Sequence, residues 1–297
     1  MRKYVGEMGL LFVAVVWGIG FVAAAISLET MTAYQTMAIR FFIAACVLSV
    51  IFVKHIRALN RSTVLAGIVL GTIVFFGFAL QTVGLQYTTP SKNAFLTAVN
   101  VVIVPFIGYI LYRRGIDRFG LLGAVLAILG VGVLSLEAEL SLNFGDGLTL
   151  LCAICFAFHI FFTSEFVKKH SPIGLTIVQM ITAFILSFVV VLSRGEAMNL
   201  NFESKGLLAA VYLGVVSTTI AFLVQTIAQK HTTETKAAII LSTEAVFGTL
   251  FSVMILHEML TVRMVIGCIL ILIGILIAET KLQFLHKKAG QAYSSHK

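Results

Sequence analysis

Charge is what this chain lacks most. Asp, Glu, Lys and Arg together make up 11% of its 297 residues, against about 25% in a soluble domain. So few charges, with 59% hydrophobic residues and a mean hydropathy of +1.04, exclude an ordinary soluble globular protein. Proline is scarce too, with three residues in all, so long apolar runs are free to be helical. The weak ten-residue alternation of an outer-membrane barrel is missing. Cysteine offers no disulfide framework, because Cys46, Cys152, Cys155 and Cys268 all lie inside apolar runs. Cys152 and Cys155 share a helix face, but no further Cys or His stands near them, so packing rather than a metal site is expected. Enzyme signatures are absent as well. His257-Glu258 is not completed to H-E-x-x-H, and there is neither a G-x-S-x-G elbow nor a phosphate-cradling loop. No cofactor is expected.

What the chain does have is ten apolar runs, at about 8–28, 33–53, 63–86, 91–112, 119–138, 146–167, 174–193, 206–228, 236–256 and 261–281. Each is close to the roughly 20 residues that cross about 30 Å of hydrocarbon as a helix. The fold class expected is an all-α polytopic membrane protein with ten transmembrane helices. Connections are short, and none is long enough for a soluble domain.

Basic residues set the orientation. Lys54, Arg57, Arg61, Arg113, Arg114, Arg118, Lys168, Lys169 and Lys230 fall in one set of loops, with more in the two tails. The other set holds chiefly acidic residues beside Lys92, Arg194, Lys205 and Arg263. The positive-inside rule puts both termini in the cytoplasm of a cell (plasma or inner) membrane. The net charge of +8 then reports orientation, not nucleic-acid affinity.

The chain also repeats itself. Gln81-Thr82 followed by Thr88-Thr89-Pro90-Ser91-Lys92 recurs about 144 residues later as Gln225-Thr226 followed by Thr232-Thr233-Glu234-Thr235-Lys236, and Gly123 and Gly130 fall onto Gly267 and Gly274. Five spans per copy is an odd number, so the second copy starts from the opposite face. Two inverted five-helix repeats, 1–140 and 141–281, with a polar tail at 282–297, are therefore expected. Inverted repeats with a site near the midplane belong to alternating-access carriers. The same glycines, with Gly67-x-x-x-Gly71, supply small-residue stripes for close helix packing or for surfaces that slide.

Ionisable groups within the spans mark candidate sites. Glu244, in the ninth span behind Ser242 and Thr243, would bind a substrate amine or carry a coupling proton, or else fix helix packing. Its repeat partner is Asn100. Arg40 would hold an anionic group bidentately, snorkel, or tie helices. His159 would relay protons or sit satisfied in the core. Trp17, aligned with Phe156, would flank an organic substrate or fill space. Gln81 and Gln225, together with Ser217-Thr218-Thr219, suit a polar cavity wall or interhelical glue. Lys92 and Lys236, at the starts of their spans, would gate the two faces or anchor helix ends.

Together these features resemble the drug/metabolite transporter superfamily, specifically its EamA-type members. The likeness is carried by Trp17-Gly18, Ala38-Ile39-Arg40-Phe41-Phe42, Leu85 through Ala94, Ser242-Thr243-Glu244-Ala245-Val246-Phe247, and Leu256-His257-Glu258-Met259-Leu260-Thr261. It spans about Glu7 to Glu279. Two positions depart from the pattern: Ala245 replaces the proline after the glutamate, and Phe156 the tryptophan of the second copy. The resemblance implies a central cavity and metabolite export or exchange without ATP hydrolysis. A secondary transporter of a small organic metabolite is expected, with an amino acid or related amphiphile moving outward as the leading reading and proton coupling as a possible driver. An importer or exchanger of anionic metabolites, or a non-transport membrane scaffold, is the alternative. The partners expected are the solute and the lipid bilayer, no nucleic acid, and at most a second copy in a weak dimer of an otherwise monomeric chain.

Overall fold

A computed structural model describes residues 2–113, 115, 118–135, 143–196 and 205–280. Arg114, Glu137, Glu139, Glu203 and the tail from Lys281 lie outside the described residues, as do both expected boundaries near 140 and 281. All regular structure among the described residues is helical. The chain runs α1 (Arg2–Leu28), α2 (Ala33–Ile51), α3 (Val53–Arg57), α4 (Arg61–Leu85), α5 (Pro90–Ala98), α6 (Asn100–Tyr112), α7 (Arg118–Ser135), α8 (Phe144–Phe166) and α9 (Pro172–Ser193). It continues through α10 (Lys205–Tyr212), a π-helical segment (Leu213–Ile220), α11 (Ala221–Gln229), α12 (Glu234–Ser242), α13 (Glu244–Leu256) and α14 (Val262–Thr280).

Among the described residues, eight helical stretches are long and apolar enough to cross a membrane, α5–α6, α10–α11 and α12–α13 each counting as one. Two further apolar helical stretches, Leu121–Val133 and Val262–Ile277, are shorter. Large apolar side chains such as Phe42, Ile128, Ile185 and Met254 stay exposed around the bundle, as suits a surface solvated by lipid tails. The chain is a multi-pass membrane protein.

Helix starts follow local chemistry. Thr32, Asn60, Thr89, Ser171 and Thr233 each cap a helix by accepting a backbone N–H three residues on. Pro90 and Pro172 occupy the first turn, where a missing N–H costs nothing. The turns alternate between two ends of the bundle. One end, called here the Thr30 end, carries the α1–α2 and α4–α5 turns and the starts of α8 and α10. There Gly206 lies against Thr30 and Gly145 against Tyr87. The other, the Lys169 end, carries the start of α1 and the α8–α9 and α11–α12 turns, with Gly6 against His231 and Thr63 bonded to His170.

Spans four and nine are not continuous helices. Each breaks near its middle, at Val99 and at Thr243, where backbone bonds tighten to i→i−3 around the junction. Pro105 stands inside α6, six residues past Val99, whereas the ninth span breaks at Thr243 with no proline nearby, Ala245 following Glu244. Beyond these breaks, α6 and α13 end alike, on Arg113 (φ 52°) and His257 (φ 54°), both left-handed. Breaks and end residues recur at the same offset of about 144 residues that aligns the sequence repeat.

Glycine permits the closest contacts. A Cβ on Gly18 would stand 2.5 Å from Phe247 Cβ, so α1 touches α13 backbone to backbone beside Glu244. Gly130 and Gly274 bring α7 and α14 together in the same way, with Ile271 and the Gly123 carbonyl in their path.

Candidate functional site

Between α1, α2, α4, α5, α6, α8, α11, α12, α13 and the π segment lies a cavity open to solvent, with about 630 Å³ of empty space. Five of the nine candidate residues line it together: Trp17, Arg40, Gln81, Asn100 and Glu244. Its lining runs from mid-depth toward the Thr30 end, out to Ala24, Leu85 and Leu213. Phe21, Phe78, Phe156 and Phe222 make much of the remaining wall. Trp17 packs on Phe222 at 5.2 Å between ring centroids, and Phe156 on Phe78 at 5.2 Å. The aromatics expected from Trp17 and Phe156 therefore belong to a larger cluster whose other members, Phe78 and Phe222, had no distinguishing signal among 24 phenylalanines.

Arg40 is buried, 3% exposed, and no carboxylate pairs with it among the described residues. Its Nε donates to Thr218 Oγ1 at 2.9 Å and its Nη2 reaches Ser217 Oγ at 3.5 Å. The guanidinium carbon stands 4.1 Å from the centroid of Phe78. The π segment makes this possible. The wider turn between Leu213 and Ile220 lets Thr219 Oγ1 donate to the Gly214 carbonyl five residues back and frees the Ser217 carbonyl for the Trp17 indole N–H at 2.9 Å. Arg40 thus neither snorkels to an interface nor ties to an acid.

Glu244 begins α13 just after the break at Thr243, and no hydrogen-bond or ion-pair partner meets its carboxylate among the described residues although it is only 5% exposed. Asn100 stands at the same place in α6, its buried Oδ1 without a partner. Placing each at the first residue of a half-helix puts backbone N–H dipoles beside it. Gln81 donates from Nε2 to Thr97 Oγ1 at 3.1 Å. Asn93 donates from Nδ2 to the Gln81 carbonyl at 3.2 Å and to Thr149 Oγ1 at 2.9 Å. One cavity thus holds a guanidinium and a carboxylate, neither neutralised by the protein, within an aromatic wall.

The other four candidates lie elsewhere. His159 is buried in α8, with Nε2 3.0 Å from Gln179 Oε1, 3.5 Å from Thr163 Oγ1, and its ring against Phe222. Gln225 is fully buried on α11 and neither amide atom has a partner. Lys92 and Lys236 sit at opposite ends, each with a carboxylate from the other half of the chain. Lys92 Nζ meets Asp146 Oδ2 at 3.3 Å near the Thr30 end, where the Thr88 hydroxyl also donates to Asp146. Lys236 Nζ meets Glu7 Oε1 at 3.7 Å near the Lys169 end. Asp146 and Glu7 were not singled out in the sequence. The offset of about 139 residues that sets Trp17 against Phe156 also sets Glu7 against Asp146, so the signal was there.

Known proteins fit this picture. The chain matches the EamA-like transporter family twice, over residues 4–136 and 143–280. It is 32% identical over 281 residues to an uncharacterized transporter of Archaeoglobus fulgidus, covering 95% of this chain and 88% of that protein. It is 26% identical over 251 residues to the uncharacterized transporter YyaM of Bacillus subtilis, covering 81% and 82%. A protein of known crystal structure shares the fold at a TM-score of 0.68 with 16% identity, over 95% of this chain and 98% of that one.

Proposed function

Because the chain belongs to the EamA-like transporter family, we propose that it is a secondary carrier of a small zwitterionic metabolite, an amino acid or a close relative, moved outward by alternating access. The observation that carries this reading is the pairing of Arg40 with Glu244 in one cavity, both buried and neither matched by a protein charge. An uncompensated buried charge is costly, and a solute bearing one carboxylate and one ammonium offsets both costs at once. Arg40 takes the carboxylate, Glu244 the ammonium, and Trp17 with the phenylalanine cluster the apolar remainder. Gln81 and Asn100 supply neutral hydrogen bonds.

The carrier is built of two inverted halves, 1–140 and 141–281, with both termini cytoplasmic, in the cell membrane. Support comes from the paired breaks at Val99 and Thr243, the paired left-handed ends at Arg113 and His257, and the lysine–carboxylate pairs at opposite ends. In this orientation the cavity faces outward, and Lys92–Asp146 and Lys236–Glu7 gate the outer and inner faces. A proton and the solute's ammonium compete for the Glu244 carboxylate. A proton arriving from outside displaces the solute there and is given up inside when the next solute binds, and the proton gradient drives the cycle.

An anion carrier would draw on Lys92 and Lys236 as well as Arg40. Both lysines are engaged outside the cavity, which favours the zwitterion. The test is a thermal-shift screen of the purified protein against a metabolite library, alongside Glu244→Ala. Zwitterions are expected to stabilise the wild type and lose their effect in the variant. Stabilisation by dianions alone, or equally in both proteins, would overturn the reading.

A further inference from the structure

The residues that line the open cavity have counterparts in the other half of the chain. At the repeat offsets, Gly20 and Ala24 of α1 fall onto His159 and Thr163 of α8, Arg40 of α2 onto Gln179 of α9, and Gln81 and Leu85 of α4 onto Gln225 and Gln229 of α11. These counterparts are buried toward the Lys169 end and do not line the open cavity. They are linked in space. His159 bonds Gln179 and touches Phe222, and Gln229 Nε2 donates to the Ile160 carbonyl at 3.0 Å and to Ser164 Oγ at 2.9 Å. Gln225 lies on α11 between Phe222 and Gln229, on the helix face they share.

This buried cluster is poorly satisfied. Both amide atoms of Gln225, Nε2 of Gln179 and Oε1 of Gln229 have no partner. The cause at Gln225 is legible. Its twin Gln81 donates to Thr97, but the residue corresponding to Thr97 is Leu241, which has nothing to accept with. Buried polar atoms are nearly always paired, and four orphans in one cluster need an account. Hydrogen-bonding groups brought out of water without partners regain them when water or a polar solute enters.

We propose that His159, Gln179, Gln225 and Gln229 form a second solute station, assembled when the bundle opens at the Lys169 end. The inference rests on the two inverted halves described above. The second station differs in chemistry from the first. Gln179 stands where Arg40 would be, so it offers amides and an imidazole but no guanidinium, while Glu244 at mid-depth serves both. The carrier therefore grips an anionic group only from the Thr30 end. At the Lys169 end it holds the solute by its cationic and neutral polar parts, with the carboxylate ungripped until Arg40 meets it.

The experiment is cysteine labelling of the full chain in sealed vesicles with membrane-impermeant methanethiosulfonates, cationic and anionic, read above the wild-type background. Leu85→Cys reports the open cavity, Gln229→Cys and Thr163→Cys the second station, and exposed Ala58→Cys the bulk reactivity at the Lys169 end. Leu85→Cys should label from one side and Gln229→Cys from the other. Normalised to Ala58→Cys, the cationic reagent should win at Gln229→Cys by at least fivefold. Adding Gln225→Leu, which replaces the orphaned amide by an apolar group, should slow that labelling about tenfold and leave Leu85→Cys unchanged. If Gln229→Cys and Thr163→Cys stay unlabelled from both sides while melting like the wild type, or label without charge preference, the second station does not exist. No solute is needed, so this failure is separate from a failure of the zwitterion screen.

Discussion

Lys92 reaches across from the first half of the chain to Asp146 in the second, 3.3 Å away, and Lys236 in the second half reaches back to Glu7 in the first. The two pairs differ in depth: the Asp146 side chain is wholly buried, whereas Lys236 and Glu7 are 46% and 30% exposed. That difference sets the first prediction. Lys92→Ala leaves a buried carboxylate with the Thr88 hydroxyl as its remaining partner and should cost about 2–4 kcal/mol, below the full cost of a wholly buried pair because Lys92 is partly exposed. Lys236→Ala removes an exposed pair and should cost less than about 1 kcal/mol. Thermal melting of the two variants in one detergent tests this, and equal midpoints would contradict it.

Arg40 is expected to resist replacement by lysine. An ammonium can satisfy Thr218 or approach the solute, but it cannot also lay a planar face on Phe78. Uptake by Arg40→Lys in vesicles should fall at least tenfold (about 1.4 kcal/mol), nearly as far as in Arg40→Ala.

Glu244→Gln keeps the shape of the side chain and removes its charge. Accumulation driven by an imposed pH gradient should be lost, while solute-for-solute exchange continues at a reduced rate. A variant that still accumulates solute against its gradient would remove Glu244 from coupling.

Trp17→Phe preserves an aromatic wall but takes away the indole N–H that serves the Ser217 carbonyl. A buried carbonyl left unpaired costs about 1–3 kcal/mol, and the π segment carrying both partners of Arg40 loses its anchor. Thermal stability should drop by that amount, and apparent affinity should weaken several-fold more than in Phe21→Leu, which touches the same cavity without a hydrogen bond.

Gly18→Ala drives a methyl into Phe247 and the Gly248 backbone, at 2.5 and 2.9 Å. Separating α1 from α13 should cost about 1–3 kcal/mol and displace Glu244, so transport should fall further than stability does.

Much of this site could be read from the residues themselves, because charge inside an apolar run is rare enough to stand out. Arg40 and Glu244 were visible for that reason, Asn100 as the repeat partner of Glu244, and Trp17 through its alignment with Phe156. Gln225 and Gln81 looked alike in sequence, yet they differ in the structure, since what separates them is a partner on another helix, Thr97 or Leu241. The π segment left no trace in composition, and the groups it receives, Trp17 and Arg40, come from other helices. The breaks at Val99 and Thr243 were equally hidden. Proline is the usual sign of a break, and here the junctions lie where no proline stands.

That last feature bears on how the chain can be altered. A proline joint is permanent, because the ring blocks the helical bond whatever surrounds it. At Thr243 the interruption is held by shortened backbone bonds and by hydroxyls folded onto the preceding turn, Ser242 to the Ile239 carbonyl and Thr243 to Ile240. Such a joint can be mended: alanine at both hydroxyl positions is expected to let a single uninterrupted helix compete with the α12–α13 pair. The interruption beside Glu244 is thus a setting that neighbouring groups maintain and not one the covalent chain imposes.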